Sequence, residues 1–203
     1  STVKMVAFRG ASMAKASEGI DCGMSAVLGV SQEDLGTLCR QAQIETGKLV
    51  SICNLNCPGQ IVIGGEKTAV DKVAELVAAS GSGKCIPLRV SGPFHTAFMK
   101  PAGDALERYF KSVRFQRPKC PVMFNYLGGA CEEVDASVDS TTATTLAGLR
   151  KAVPELLVEQ VQKPVRMEAI LREMFEEGVT NFIEIGPGHT LSGFVKKVAR
   201  DMG

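Results

Sequence analysis

No stretch of these 203 residues approaches the roughly twenty consecutive apolar side chains that cross a bilayer. Charge of one sign is not in excess either. The 23 Lys and Arg stand against 22 Asp and Glu, a net +1, so composition gives no basis for a nucleic-acid or membrane-surface binder. Internal repeats and low-complexity tracts are missing. So is a signal peptide: Ser1-Thr-Val-Lys has no initiator methionine and reads as though cut from a longer polypeptide. CxxC spacing is absent as well. Cys22, Cys39, Cys53, Cys57, Cys85, Cys120 and Cys131 are scattered and odd in number, which argues against a disulfide framework and against a zinc site with paired ligands. They read as free thiols in a reducing compartment.

What is present is ordinary globular composition, 45% hydrophobic and 22% charged, in a chain long enough for one domain or one domain with a small insert. Residues 23–29 (GMSAVLG) form a short apolar run closed by glycine and predict a strand. Ser31 with Asp34 forms a capping-box-like pair opening a helix whose apolar face is Leu35, Leu38, Cys39 and Ala42. Strands are expected over 49–54 and 60–63, an amphipathic helix over 66–80, and a strand over 84–90. That order, β-α-β-β-α-β, is the ferredoxin-like arrangement. Beyond it come a helix over 99–111, a strand over 122–126 and a polar loop over 137–145. Met167, Ile170, Leu171, Met174 and Phe175 make a helical stripe; a strand over 182–185 and a helix over 191–202 follow. The pattern predicts an α/β protein with a partly parallel sheet flanked by helices and a ferredoxin-like insert. Residues 23–90 would form the small subdomain, and 1–22 with 91–203 would belong to the large core.

Only two histidines occur. His95, in SGPFHT directly after an expected strand, has the pKa range of a general base and a position where rigid scaffolds hold catalytic groups. A hydrogen-bonded structural histidine fits the same pattern. His189, in GPGHT, reads as part of a tight turn. Arg9 could clamp a carboxylate through its planar fork or simply be solvated. No GxSxG elbow accompanies these residues. Residues 10–14 (GASMA) lack the closing glycine and fall in an expected helix. Cys57 is a loop thiol with no placed base. The residues alone describe a base without a nucleophile.

Six strings nevertheless occur together: FRGASM (8–13), GMSAVLG (23–29), NCPGQIVIGG (56–65), VSGPFHTAFMKPA (90–102), EQVQKPVRM (159–167) and IEIGPGHTLSG (183–193). In this order and spacing, they resemble the malonyl-CoA:acyl carrier protein transacylases, the FabD-like acyltransferases of fatty acid synthesis. The resemblance implies an α/β-hydrolase-like core with the ferredoxin-like subdomain inserted. It also implies a serine nucleophile in a GHSLG-type segment, preceding Ser1 and absent from this chain. By resemblance, His95 matches the catalytic histidine, and Gln160 the position whose backbone carbonyl orients it. Arg9 matches the arginine that holds the malonyl carboxylate, Asn56 a substrate-side asparagine, and Phe94 the malonyl-selecting form of its loop. The implied partners are malonyl-CoA, acyl carrier protein and the missing N-terminal segment. No metal or redox cofactor is implied, because a thioester is already activated. Two further readings stay open: an acyltransferase domain of a polyketide or fatty acid synthase, and a non-catalytic carrier-protein docking module using Lys196, Lys197 and Arg200. Free cysteines point to cytoplasm, plastid or mitochondrial matrix.

Overall fold

The computed structural model describes residues 2–115, 120–132, 142–145 and 150–203. Helix α1 (Thr2–Ala16) leads into β1 (Cys22–Leu28), α2 (Gln32–Thr46), β2 (Val50–Cys57), β3 (Gln60–Glu66), α3 (Lys67–Ser80) and β4 (Lys84–Pro87). The expected β-α-β-β-α-β order is therefore the observed one. Local chemistry sets the ends of α2. Ser31 Oγ accepts from the Asp34 amide at 3.1 Å and donates to the Asp34 carboxylate at 2.7 Å, closing the first turn. Gly47, at φ 66°, ends the helix in the left-handed conformation that glycine adopts without penalty.

The strands form a sheet in the order β4-β1-β3-β2-β9, where β9 is Val165–Arg166. Every pairing is antiparallel except β2 with β9. One face carries Val27, Val50, Ile61 and Ile63 against Leu35, Cys39, Val73 and Val77 of α2 and α3. Burying each such side chain is worth about 1.5–3 kcal/mol, so this core holds the unit together. The opposite face is thinner. Met24, Ala26, Cys53 and Val62 cluster there, and Phe94 packs onto them from the loop after β4.

A second core joins the remaining elements. A short 3-10 turn (Ala97–Met99) opens α4 (Lys100–Phe110), and α5 (Val153–Gln162) follows a small sheet of β5 (Met123–Phe124), β6 (Gly129–Glu132), β7 (Thr142–Thr145) and β8 (Arg150–Ala152). Met13 of α1, Met99, Ala102 and Leu106 around α4, and Val161 of α5 are buried together, and the Phe8 and Tyr109 rings stack at 4.5 Å. Helices α6 (Met167–Glu176) and α7 (Thr190–Met202) close the fold against β2 through Cys57, Leu171, Phe194 and Val198.

Some expectations change. Residues 182–185 are not a strand: Ile183 and Ile185 are 86% and 93% exposed, and no described strand pairs with them. Period-2 alternation is there, but a strand exists only when a neighbour accepts its ladder. The Glu184 carboxylate instead caps α7, accepting from the Leu191 and Ser192 amides and the Ser192 hydroxyl. Of the expected loop over 137–145, residues 142–145 form β7, in keeping with the β-propensity of threonine; the rest lies outside the described residues. The strand over 122–126 shortens to two residues, and β4 stops at Pro87, which has no N–H for the ladder. Parallel pairing is confined, among the described strands, to β2 and β9. The described cysteines, Cys22, Cys39, Cys53, Cys57, Cys85 and Cys120, are all free thiols. No helix among the described residues is long and apolar enough to cross a membrane.

Candidate active site

The thin face of the sheet is the floor of a cavity of about 600 Å³, with α1 and the 91–96 loop as walls. Arg9, Asn56, Phe94 and His95 all line it, together with Met13, Met24, Asn54 and Val62. Two irregularities in β2 aim the asparagines. Alternation would place Val50, Ile52 and Asn54 on one face, but the register shifts between Ile52 and Asn54, where Cys53 is the extra residue. Ile52 thus stays under the helices while Cys53 and Asn54 turn to the opposite face, where Asn54 reaches the cavity. A second shift, between Leu55 and Cys57, leaves Asn56 unpaired beside the same cavity.

His95 is held from two sides. Its backbone sits at φ 60°, a left-handed conformation that costs a non-glycine residue about 1–2 kcal/mol and concentrates at functional sites. The loop is locked there: the buried Thr96 hydroxyl donates to the Pro93 carbonyl at 2.5 Å, and the Met99 amide donates to the Thr96 carbonyl at 3.0 Å. The ring is fixed by α5, since His95 Nδ1 lies 2.8 Å from the Gln160 carbonyl oxygen. A carbonyl can only accept, so Nδ1 carries the proton and Nε2 keeps the lone pair.

Electrostatics keep that imidazole neutral. Burial pushes its pKa below the ordinary 6.5, opposed by the Gln160 carbonyl and aided by the positive charge of Arg9, with backbone hydrogen bonding at Lys163 opposing again. The Arg9 guanidinium is itself partly desolvated, which lowers its pKa, yet an arginine remains charged. Among the described residues no carboxylate lies within ion-pair distance of it. The cavity therefore brings together a neutral base, an uncompensated cation and two amides on a mostly apolar floor.

The other sequence candidates fall elsewhere. Cys57, expected in a loop, ends β2 and is 1% exposed; burial raises its pKa, so it is no nucleophile as it stands. His189 is exposed at the start of α7, between Gly188 and the first helical turn, and does not line the cavity. Ser12, within residues 10–14, lies inside α1 rather than on an elbow. On α7, Lys196 and Arg200 are exposed, and Lys197 Nζ reaches Gln60 Oε1 at 3.3 Å. A second cavity of about 470 Å³ is lined by Cys57, Arg166 and Arg172, but Arg172 is already tied to Glu168 and Asp201. Among the described residues no group of three His, Cys, Asp or Glu side chains could hold a metal ion. Asn54 is the lining amide that sequence reasoning passed over; its spacing from Asn56 was visible, the bulge that aims it was not.

An arginine and a neutral imidazole oriented by a main-chain carbonyl thus line one cavity of an α/β scaffold. Similarity to known proteins narrows the class. No family model matches the chain. It is 40% identical over 192 residues to the malonyl CoA-acyl carrier protein transacylase of Bacillus subtilis (strain 168), covering 95% of this chain and 55% of that protein. The crystal structure of malonyl CoA-acyl carrier protein transacylase from Clostridium perfringens superposes with a TM-score of 0.83 at 37% identity, covering 98% of this chain and 57% of that one. A type II polyketide synthase malonyl-transacylase, solved in complex with its acyl-carrier protein, gives 0.80 at 32% identity, with 98% and 58% covered. Nearly the whole chain is thus homologous to malonyl CoA-acyl carrier protein transacylases, and it spans a little more than half their length.

Proposed function

We propose that the chain is the greater part of a malonyl-CoA:acyl carrier protein S-malonyltransferase of fatty acid biosynthesis, with the nucleophilic serine supplied by polypeptide outside these residues. The observation that carries this reading is the 2.8 Å contact from His95 Nδ1 to the Gln160 carbonyl. It orients a base without a carboxylate partner, beside an arginine suited to the free carboxylate of a malonyl group. In this reading His95 Nε2 takes the serine proton as the oxygen attacks the malonyl-CoA thioester, then returns it to the departing CoA thiolate. The phosphopantetheine thiol of the carrier protein reverses the sequence on the malonyl-serine ester. Arg9 holds the carboxylate through both steps, Asn56 contacts the acyl thioester, and Phe94 limits the space at the acyl α-carbon. No metal or redox cofactor enters this scheme.

Finer points belong to the same proposal. The 23–90 unit, with strand order β4-β1-β3-β2, is read as the ferredoxin-like subdomain, and 1–22 with 91–203 as parts of an α/β-hydrolase-like core. Val3, Val6, Ile183 and Ile185 are exposed apolar side chains, against which this reading seats the segment that carries the serine. Free thiols support a reducing compartment, cytoplasm or an organelle matrix. The polyketide-synthase neighbour supports a second reading, malonyl loading of a polyketide carrier protein; comparing the two carrier proteins as acceptors separates them.

The test joins the chain to the part of the Bacillus subtilis relative that it does not match and measures transfer of labelled malonyl from CoA to carrier protein. The expected result is transfer that His95→Ala lowers about 10²–10⁴-fold, the usual contribution of a positioned base. Undiminished transfer by that variant would remove His95 from the mechanism.

A further inference from the structure

Gly92 and Ser17 take no part in the site described above, yet they meet directly behind it. Gly92 is buried and is not among the residues held at positive φ, so backbone conformation does not demand glycine there. Space does. A Cβ on Gly92 would lie 2.0 Å from Ser17 Oγ, 2.8 Å from Ser17 Cβ and 3.1 Å from Phe94 Cε1. Rotating the serine cannot relieve this, because its own Cβ is in the way. Ser17 is also pinned, 8% exposed, with its hydroxyl donating to the Met13 carbonyl at 3.0 Å at the end of α1. Neither Gly92 nor Ser17 lines the cavity, whereas Phe94 does. An added methyl would therefore crowd the Phe94 ring from a side that does not line the cavity.

We propose that Gly92 is a specificity-determining position: its missing side chain lets Phe94 sit back far enough to admit an unbranched malonyl thioester while the ring still excludes a 2-methyl branch. This rests on the malonyl reading above and adds that the depth of the acyl pocket is set from behind, by Gly92 and Ser17. Phe94 acts on the acyl group directly; Gly92 is a positioning residue that acts through it.

Isothermal titration of the joined protein described above, its supplied serine replaced by alanine, with malonyl-CoA and methylmalonyl-CoA tests this. The wild type is expected to bind malonyl-CoA about tenfold or more tighter than methylmalonyl-CoA, the scale for one excluded methyl group. Gly92→Ala should weaken malonyl-CoA binding about fivefold or more as the ring advances. If that variant folds poorly, Ser17→Gly/Gly92→Ala removes the 2.0 and 2.8 Å contacts, keeps the ring contact, and must still lose malonyl-CoA affinity. Adding Phe94→Ala to either should restore malonyl-CoA binding and erase the discrimination against the methyl group, which a merely structural defect would not do. A folded Gly92 variant that binds malonyl-CoA as the wild type does, or a loss that Phe94→Ala leaves in place, overturns the role of Gly92 alone. A folded joined protein with Gly92 and Phe94 intact that binds neither ester overturns the malonyl reading, and the specificity role with it.

Discussion

Replacing Arg9 separates carboxylate recognition from every other contribution of the cavity. Its guanidinium is half-buried, faces the cavity and, among the described residues, has no carboxylate to satisfy it. A malonyl carboxylate would supply two parallel charge-assisted hydrogen bonds, each worth about 1.5 kcal/mol or more. Their sum, about 3 kcal/mol, corresponds to roughly 150-fold in affinity. Arg9→Ala should therefore weaken malonyl-CoA binding by about two orders of magnitude, and Arg9→Lys, which keeps the charge but not the fork, by about tenfold. The acetyl group of acetyl-CoA has no free carboxylate, so this ester should bind all three forms within a factor of about two. Calorimetric titration of the joined protein, its supplied serine replaced by alanine, with both esters provides the comparison. Equal losses for malonyl and acetyl esters would refute the clamp and make Arg9 a structural residue of α1.

Three further outcomes follow from packing and linkage. Leu35→Ala empties a fully buried position between α2 and the sheet and should lower unfolding free energy in urea by about 2–5 kcal/mol. An aromatic disulfide reagent should modify exposed Cys120 in the native protein well before Cys39, whose pKa burial pushes up to about 12, or Cys53 and Cys57, which should react only on unfolding. His95 contributes a pH dependence of known sign. Its folded pKa lies below 6.5, so the unfolded chain binds its proton first. The stability contributed by keeping it neutral is present above pH 6.5 and is lost as pH falls toward the folded value, which His95→Asn should abolish in acid titrations.

The sequence made the apolar stripes, the Ser31–Asp34 cap and the β-α-β-β-α-β order legible because each depends on neighbours within one or two turns. His95 and Arg9 could be picked out but not joined, since 86 residues separate them and only the shared core of α1, α4 and α5 brings them to one cavity. Gln160 acts through its backbone, so its side chain carries no signal; only family resemblance singled it out. Cys57 and Asn54 were misjudged or missed for one reason. Two bulges in β2 decide which of its residues face the cavity, and strict alternation does not reveal a bulge. The expected strand over 182–185 failed because a strand is defined by its partner, and none of the described strands is one.

Nuclear magnetic resonance of the histidine nitrogens tests the central arrangement most directly, since only two histidines must be told apart and a His189→Asn variant assigns them. The Gln160 contact and burial predict that His95 carries its proton on Nδ1 at neutral pH and titrates below 6.5. A His95 protonated on Nε2 would leave no lone pair positioned to accept a nucleophile's proton and would contradict the account; one that titrates above 6.5 would contradict the burial of the ring.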